Sequence, residues 1–377
     1  VRKLPEEATD RAAWLLPLLA AHGLATATSL LPRGPLGREC WVPFLQGTRS
    51  ERLTGLLVAA VEDGTTHVTD DQAEELSEVH LAALGRDLRM ERATLEVVTT
   101  LEAAGLDHRV LKGPAVAHLD YPDPAQRSFI DVDVLVRSDQ WDDAVAALTA
   151  VGGHRAYPEP RAGWDRRFTK GTTFKMGDFC EVDLHRTVVS GPFGLSVDLE
   201  ALWERPDDLV LGGRPLKVLP PEARFLQACF SAAVSDVPPR LASLRDIAQM
   251  GLGGKVDSGR LARLTRSSRA EVVVHRAVQL ATASLPVSGL GLLGEWVGAL
   301  RPGVLQSRVM ASYLRSSDRY LSQCLGGVWG IRGTRDRLAY LRGLALPDRR
   351  FVTDRYRGHM DRWYQAACRL VRGHLAA

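Results

Sequence analysis

Apolar positions recur every three to four residues over 12–24 and again over 73–106, the spacing of one helix face, and the stretch 32–43 between them reads as a loop. In the second run Leu84, Leu88, Leu95, Val98 and Leu101 fall near one face, and Gly105 stands where a helix would end. Near residue 107 the period changes. Residues 108–111 form a short β-type run that stops at Lys112-Gly113-Pro114, 115–119 restarts as a helix, and Tyr121-Pro122-Asp123-Pro124 breaks it. Residues 129–136 (FIDVDVLV) are a β-branched run with two acids set into it, and a helix follows over 138–151 with Ser138 or Asp139 as its cap. Residues 169–176 and 180–185 predict two further strands joined by a turn at Gly177-Asp178.

Beyond Pro220-Pro221 the pattern is helical to the end. It predicts helices over 222–234, 241–252, 258–283, 308–325, 334–344 and 354–374. The order implies an α+β chain: an N-terminal helical region (1–106), a small mixed-sheet α/β core (107–220) and a larger C-terminal helical domain (221–377).

Composition narrows the classes of function. With 377 residues, 45% of them hydrophobic and 25% charged, the chain is globular rather than disordered or fibrous. A net charge of +3 demands no polyanionic partner, although 331–377 is rich in arginine. No run approaches a membrane span, and Arg2 and Lys3 are followed by Glu6, Glu7 and Asp10, unlike a signal peptide, so no membrane partner and a cytoplasmic location are expected. Cys40, Cys180, Cys229, Cys324 and Cys368 lie far apart and fit neither a zinc pattern nor a disulfide framework, which predicts buried free thiols. Of the 48 basic residues only 6 are lysines, and one of them, Lys112, sits at a strand-to-helix turn.

The candidate chemistry is acidic. Residues two apart on a strand share a face, so Asp131 and Asp133 project together, as do Glu181, Asp183 and His185. Were the two strands neighbours, Asp183 would complete a set of three carboxylates, hard oxygen ligands suited to Mg²⁺ or Mn²⁺. Lys112 and Gly113 stand where backbone N–H groups and a helix N-terminus can meet a phosphate. A lone D-x-D on a strand is more often a solvated edge. The order of strand, Lys-Gly, helix, D-x-D and a third strand acid is what points to a site.

That order resembles the nucleotidyltransferase fold of the DNA polymerase β superfamily. More narrowly, Val110-Leu111-Lys112-Gly113, Tyr121-Pro122-Asp123-Pro124, Arg127, residues 131–136, Glu181-Val182-Asp183-Leu184-His185, Arg240-Leu241 and Leu244-Arg245-Asp246-Ile247 resemble the bacterial uncharacterised nucleotidyltransferase family. The resemblance implies a polymerase β-like palm and Mg²⁺- or Mn²⁺-dependent transfer of a nucleoside monophosphate from an NTP, ATP being the first choice. The implied acceptor is a hydroxyl of a small molecule or a peptide natural product, with release of pyrophosphate. Asp131, Asp133 and Asp183 are the implied metal ligands and catalytic acids; Lys112, Gly113 and Arg127 are the implied nucleotide contacts, with a structural salt bridge open for Arg127; Glu181 and His185 are supporting groups. Lys112-Gly113 replaces the superfamily's usual Gly-Ser, so lysine takes the place of a serine hydroxyl. Two alternatives follow from the same motifs: a toxin-like enzyme acting on tRNA or protein, with nucleic acid the lesser expectation as partner, and a module that binds nucleotide without catalysis.

Overall fold

The computed structural model describes residues 7–28, 31–177, 180–315, 326–348 and 351. Its first elements are helices α1 (Ala8–Ala20), α2 (Arg38–Ser50), α3 (Thr54–Glu62) and α4 (Asp70–Ala103). Strand β1 (His108–Val110), helix α5 (Gly113–Asp120), strand β2 (Val132–Val136) and helix α6 (Trp141–Ala150) come next. They are followed by β3 (His154–Arg155), α7 (Asp165–Phe168), β4 (Gly171–Met176), β5 (Cys180–His185), α8 (Gly191–Gly194) and the hairpin β6 (Asp207–Leu211) and β7 (Arg214–Val218). Helices α9 (Pro221–Phe230), α10 (Leu241–Leu252), α11 (Ser258–Ser267), α12 (Glu271–Ser284), α13 (Gly291–Ala299) and α14 (Val304–Arg315) complete the series, with a last described helix at Thr334–Ala345.

The strands form one mixed sheet in the order β3-β4-β5-β2-β1-β7-β6. β1 and β7 run parallel, whereas β3–β4, β4–β5 and β6–β7 are antiparallel. The chain is therefore α+β, a mixed sheet with helices before and after it, as the patterning predicts.

Four local expectations are corrected. The stretch 32–43 is a loop only to Gly37: α2 begins at Arg38 and runs through Pro43, because Trp41, Phe44, Leu45 and Thr48 make a buried face that offsets the missing N–H. On α4 the buried apolar positions are Leu76, Ala83, Met90, Val97, Val98 and Leu101, with Gln72, Asp87 and Thr94 buried beside them, and Leu88 is exposed. Strand β2 starts at Val132, not at residue 129, which leaves Asp131 just outside it. The helix expected over 258–283 is two: Arg269 takes a left-handed φ of 51°, with Ala270 N donating to Thr265 O and Arg269 N to Arg266 O. That is a Schellman ending with arginine where glycine is usual.

Contacts gather the chain into two units, 1–96 with 109–133 and 198–307, and 97–108 with 134–197 and 308–377. In the first, α10 packs against α9, α12 and α13, and α1 packs on α2. A buried guanidinium persists only when its donors are used. Arg224 on α9 meets this need: Nε and Nη2 reach the Asp120 carboxylate at 2.9 and 3.0 Å, and Nη1 reaches Asp207 Oδ2 at 2.9 Å. In the second unit Trp164 stacks on Tyr340, and Phe168 meets both rings tilted or edge-on, with centroids 4.9–5.3 Å apart beside Ile331. Cys40 and Cys229 are free and buried as predicted, whereas Cys324 and Cys368 lie outside the described residues.

Candidate functional site

Strand β2 is buried along its whole length, so the carboxylate it carries must be compensated. Asp133, 2% exposed, accepts a bond from Lys112 Nζ at 3.0 Å, and its carbonyl accepts Leu111 N at 2.9 Å, registering the end of β1 on β2. Lys112 itself is bent into the turn, with φ 40° and ψ −133°, and Gly113 follows at φ 20°. A lysine at positive φ is uncommon and is held only where neighbours over-determine it. Here they do: Leu111 is tied to β2, Val116 N donates to Lys112 O at 3.0 Å, and Pro114 lies in the first turn of α5. A Cβ on Gly113 would come within 3.2 Å of the Phe129 ring at a positive φ, so any larger residue crowds the ring and strains the turn. The Lys-Gly turn thus has the strand-end, helix-start geometry the sequence implied.

The segment entering β2 is pinned on both sides. Arg127 Nε and Nη2 form a fork on Asp246 of α10 at 2.8 and 2.9 Å, and Nη1 donates to the Ser128 carbonyl. Tyr121 Oη donates to the same Asp246 at 2.8 Å. Burial pulls the Arg127 pKa down, but the Asp246 charge overcomes it and holds the guanidinium firmly protonated. Arg127 is therefore placed within an internal ion pair, both partners nearly buried. Across from it, Asp87 of α4 accepts Ser128 Oγ and Phe129 N, each at 3.0 Å. Burial pushes the Asp87 carboxyl above its ordinary value against the pull of these bonds. Sequence reading passed over Asp87; a lone acid on a long helix gives no local signal of its partner.

Strand β5 alternates as predicted, with Val182 and Leu184 fully buried on one face. On the other, Asp183 is half-buried and receives Thr173 Oγ1 at 2.5 Å from the facing strand, where Thr173 is its register partner. His185 is 1% exposed; its Nδ1 lies 3.3 Å from the Thr187 carbonyl, and donation there leaves the lone pair on Nε2. The register partner of His185 is Gly171, where a Cβ would meet Leu184 O at 2.3 Å. Glu181 is exposed and pairs in register with Lys175.

β5 is the neighbour of β2 in the sheet, the condition on which the acidic cluster depended. Asp133, Asp183 and His185 each offer one ligand atom within 4.8 Å of the others. Two carboxylate oxygens and an imidazole nitrogen suit a divalent ion, and two adjacent carboxylates are stabilised by a cation held by both. Asp131, half-buried ahead of β2, and Glu181 stand outside that group, while His185, expected in support, stands within it. The donor set fits a metal.

Known proteins place the chain. None of the curated proteins matches it significantly. Among solved structures it is similar to the solution structure of the antibiotic-resistance factor ANT(2'')-Ia, at 15% identity and a TM-score of 0.35, covering 49% of this chain and 94% of that one. It is also similar to the crystal structure of an antigenic nucleotidyltransferase-like protein from Paracoccidioides brasiliensis, at 16% identity and a TM-score of 0.30, covering 53% of this chain and 94% of that one. The model of the uncharacterised nucleotidyltransferase family matches residues 38–286, more than half of the chain and the whole stretch from α2 through α12 that carries the Lys-Gly turn, both acid strands and Asp246. The chain belongs to the uncharacterised nucleotidyltransferase family.

Proposed function

We propose that the protein transfers a nucleoside monophosphate from an NTP, ATP in the first instance, to a hydroxyl of a small-molecule or peptide acceptor. The observation that carries the reading is the convergence of Asp133, Asp183 and His185 beside the Lys112 turn. A bound Mg²⁺ or Mn²⁺ would supply charge neutralisation on the triphosphate and lower the pKa of the attacking hydroxyl. Asp133 and Asp183 would hold it, with His185 Nε2 as a further ligand and Asp131, at the mouth of β2, able to join when nucleotide is present. Lys112 exchanges its bond to Asp133 for a phosphate oxygen of the nucleotide. Gly113 brings backbone N–H groups to the same oxygens at the start of α5.

The acceptor oxygen then forms a bond to Pα as the bond from Pα to the bridging oxygen breaks. Pyrophosphate leaves with that electron pair, and the hydroxyl proton passes to the Asp183 carboxylate. Thr173 fixes the Asp183 carboxylate through its 2.5 Å hydrogen bond. Arg127 acts one step away, through Asp246 and the Ser128 carbonyl, by fixing the chain that leads into Asp131 and Asp133.

A screen of the four NTPs with Mg²⁺ against a panel of hydroxyl acceptors, reading pyrophosphate release, tests this. Wild type releases pyrophosphate and Asp133→Asn and Asp183→Asn do not; full turnover in either variant refutes the assignment. The arginines of the alternative tRNA reading, Arg355, Arg357, Arg362, Arg369 and Arg372, lie outside the described residues.

A further inference from the structure

A cavity of about 650 Å³ lies between α2, α3, α4 and the 128–130 segment, within the roughly 300–1,000 Å³ typical of small-molecule sites. Four arginines line it: Arg49 from the end of α2, Arg52 from the turn between α2 and α3, Arg86 from α4 and Arg240 just ahead of α10. Glu78 is the carboxylate among its described lining residues, so the cavity is strongly positive. Among the described residues none of the four guanidiniums makes a side-chain hydrogen bond or ion pair, and Arg86 Nε is buried without a partner. Arg49 and Arg240 are exposed and Arg52 and Arg86 half-buried, whereas the buried Arg127 and Arg224 spend their donors on Asp246 and on Asp120 and Asp207. Four guanidiniums with no hydrogen-bonded carboxylate, gathered around one space, can grip an anion together.

The remaining wall mixes Gln46, Ser50, Thr54 and Ser128 with an apolar strip. Val79, Ala83 and Ile130 belong to that strip, and Ile130 is 49% exposed although the residues on either side of it are better covered. A bare phosphate has no use for such a strip, whereas an organic body does. The cavity also has a fixed address. Ile130 directly precedes Asp131, Arg52 stands within electrostatic reach of Asp131, and Glu51 Oε2 accepts Leu241 N at 2.6 Å, tying the Arg52 turn to the Arg240 turn.

We propose that this cavity is the acceptor subsite and that the acceptor is a small organic anion, its phosphate or carboxylate on the four arginines and its apolar body on Val79, Ala83 and Ile130. The assignment rests on the nucleotidyl-transfer reading above and adds the chemical class of the acceptor. The four guanidiniums select for negative charge, and the position of Ile130 on the chain delivers the acceptor hydroxyl toward the acids of β2. A neutral sugar or alcohol is then a poor acceptor.

The test titrates phenyl phosphate, with neutral benzyl alcohol as the control, into the full chain by calorimetry. Wild type binds phenyl phosphate and not benzyl alcohol. Arg52→Gln and Arg240→Gln each weaken it at least tenfold; Arg240 is exposed, so that variant folds even if Arg52→Gln does not. Saturating Mg²⁺-ATP leaves phenyl phosphate binding in place, and so does Asp133→Asn. Absence of binding, or equal binding in the arginine variants, overturns the proposal. Competition with Mg²⁺-ATP, together with weaker ATP binding in both arginine variants, also overturns it, because the cavity then belongs to the nucleotide. If phenyl phosphate behaves as stated while Asp133→Asn binds Mg²⁺-ATP and turns over as wild type does, the anion cavity stands and the metal assignment is what fails.

Discussion

Arg127 offers a sharp test of how the acids of β2 are positioned. In Arg127→Ala, the Asp246 carboxylate, 8% exposed in its side chain, loses both bonds of the fork and keeps the Tyr121 hydroxyl among the partners described above. The Ser128 carbonyl loses its guanidinium donor in the same step. Breaking a buried pair from one side costs about 3–5 kcal/mol, because the stranded charge pays its desolvation without compensation. That is a large part of the roughly 5–15 kcal/mol by which domains are stable. Arg127→Lys keeps the charge but cannot reproduce the fork, and falls between wild type and alanine. Urea unfolding followed by tryptophan fluorescence measures the loss, and a cycle with Asp246→Asn isolates the pair. A coupling above about 2 kcal/mol is expected for contacting, buried partners. A stability loss under about 1 kcal/mol, with a raised KM for NTP, would rule out the positioning role and return Arg127 to the nucleotide.

Three further outcomes follow from local geometry. Burial raises the Asp165 carboxyl to about 6 against the pull of Arg155, so the folded chain holds a proton there more tightly than the unfolded chain does. Its contribution to stability is therefore present at low pH and is lost as pH rises through 6, a fall on the order of 2–3 kcal/mol that Asp165→Asn should abolish in unfolding curves taken from pH 4 to 7. Gly113→Ala forces a Cβ against Phe129 at a positive φ and should lower stability by about 1–3 kcal/mol, read by thermal melting. Thr173→Val removes the donor on Asp183 and should weaken Mn²⁺ affinity roughly tenfold while the melting temperature moves little, read by calorimetric titration.

Much of this arrangement was legible in the sequence where chemistry follows period. Alternation alone put Asp183 and His185 on one face of β5 and Val182 and Leu184 on the other, and Lys112-Gly113 marked the strand-to-helix turn. Strand order is not written in a local pattern, so the adjacency of β2 and β5 had to come from the fold. Nor did any local feature distinguish Arg127 from a phosphate contact: its partner Asp246 is 119 residues away. The hairpin β6–β7 has no clear signature because the exposed Val210 hides the alternation of the first strand and Pro215 interrupts the second. The split between α11 and α12 was missed because arginine, not glycine, takes the left-handed position. His185 was read as a supporting group since one histidine at a strand end has no ligand spacing in sequence; only the sheet brings it to Asp133.

The proposed transfer depends on Asp133 and Asp183 holding one divalent ion between them. Electron paramagnetic resonance of Mn²⁺ titrated into the full chain, with and without a non-hydrolysable ATP analogue, measures this without needing the acceptor. Wild type should bind Mn²⁺ and bind it more tightly with the analogue, and Asp133→Asn and Asp183→Asn, each shown to be folded by circular dichroism, should each lose that binding. Equal Mn²⁺ affinity in wild type and both folded variants would contradict the claim.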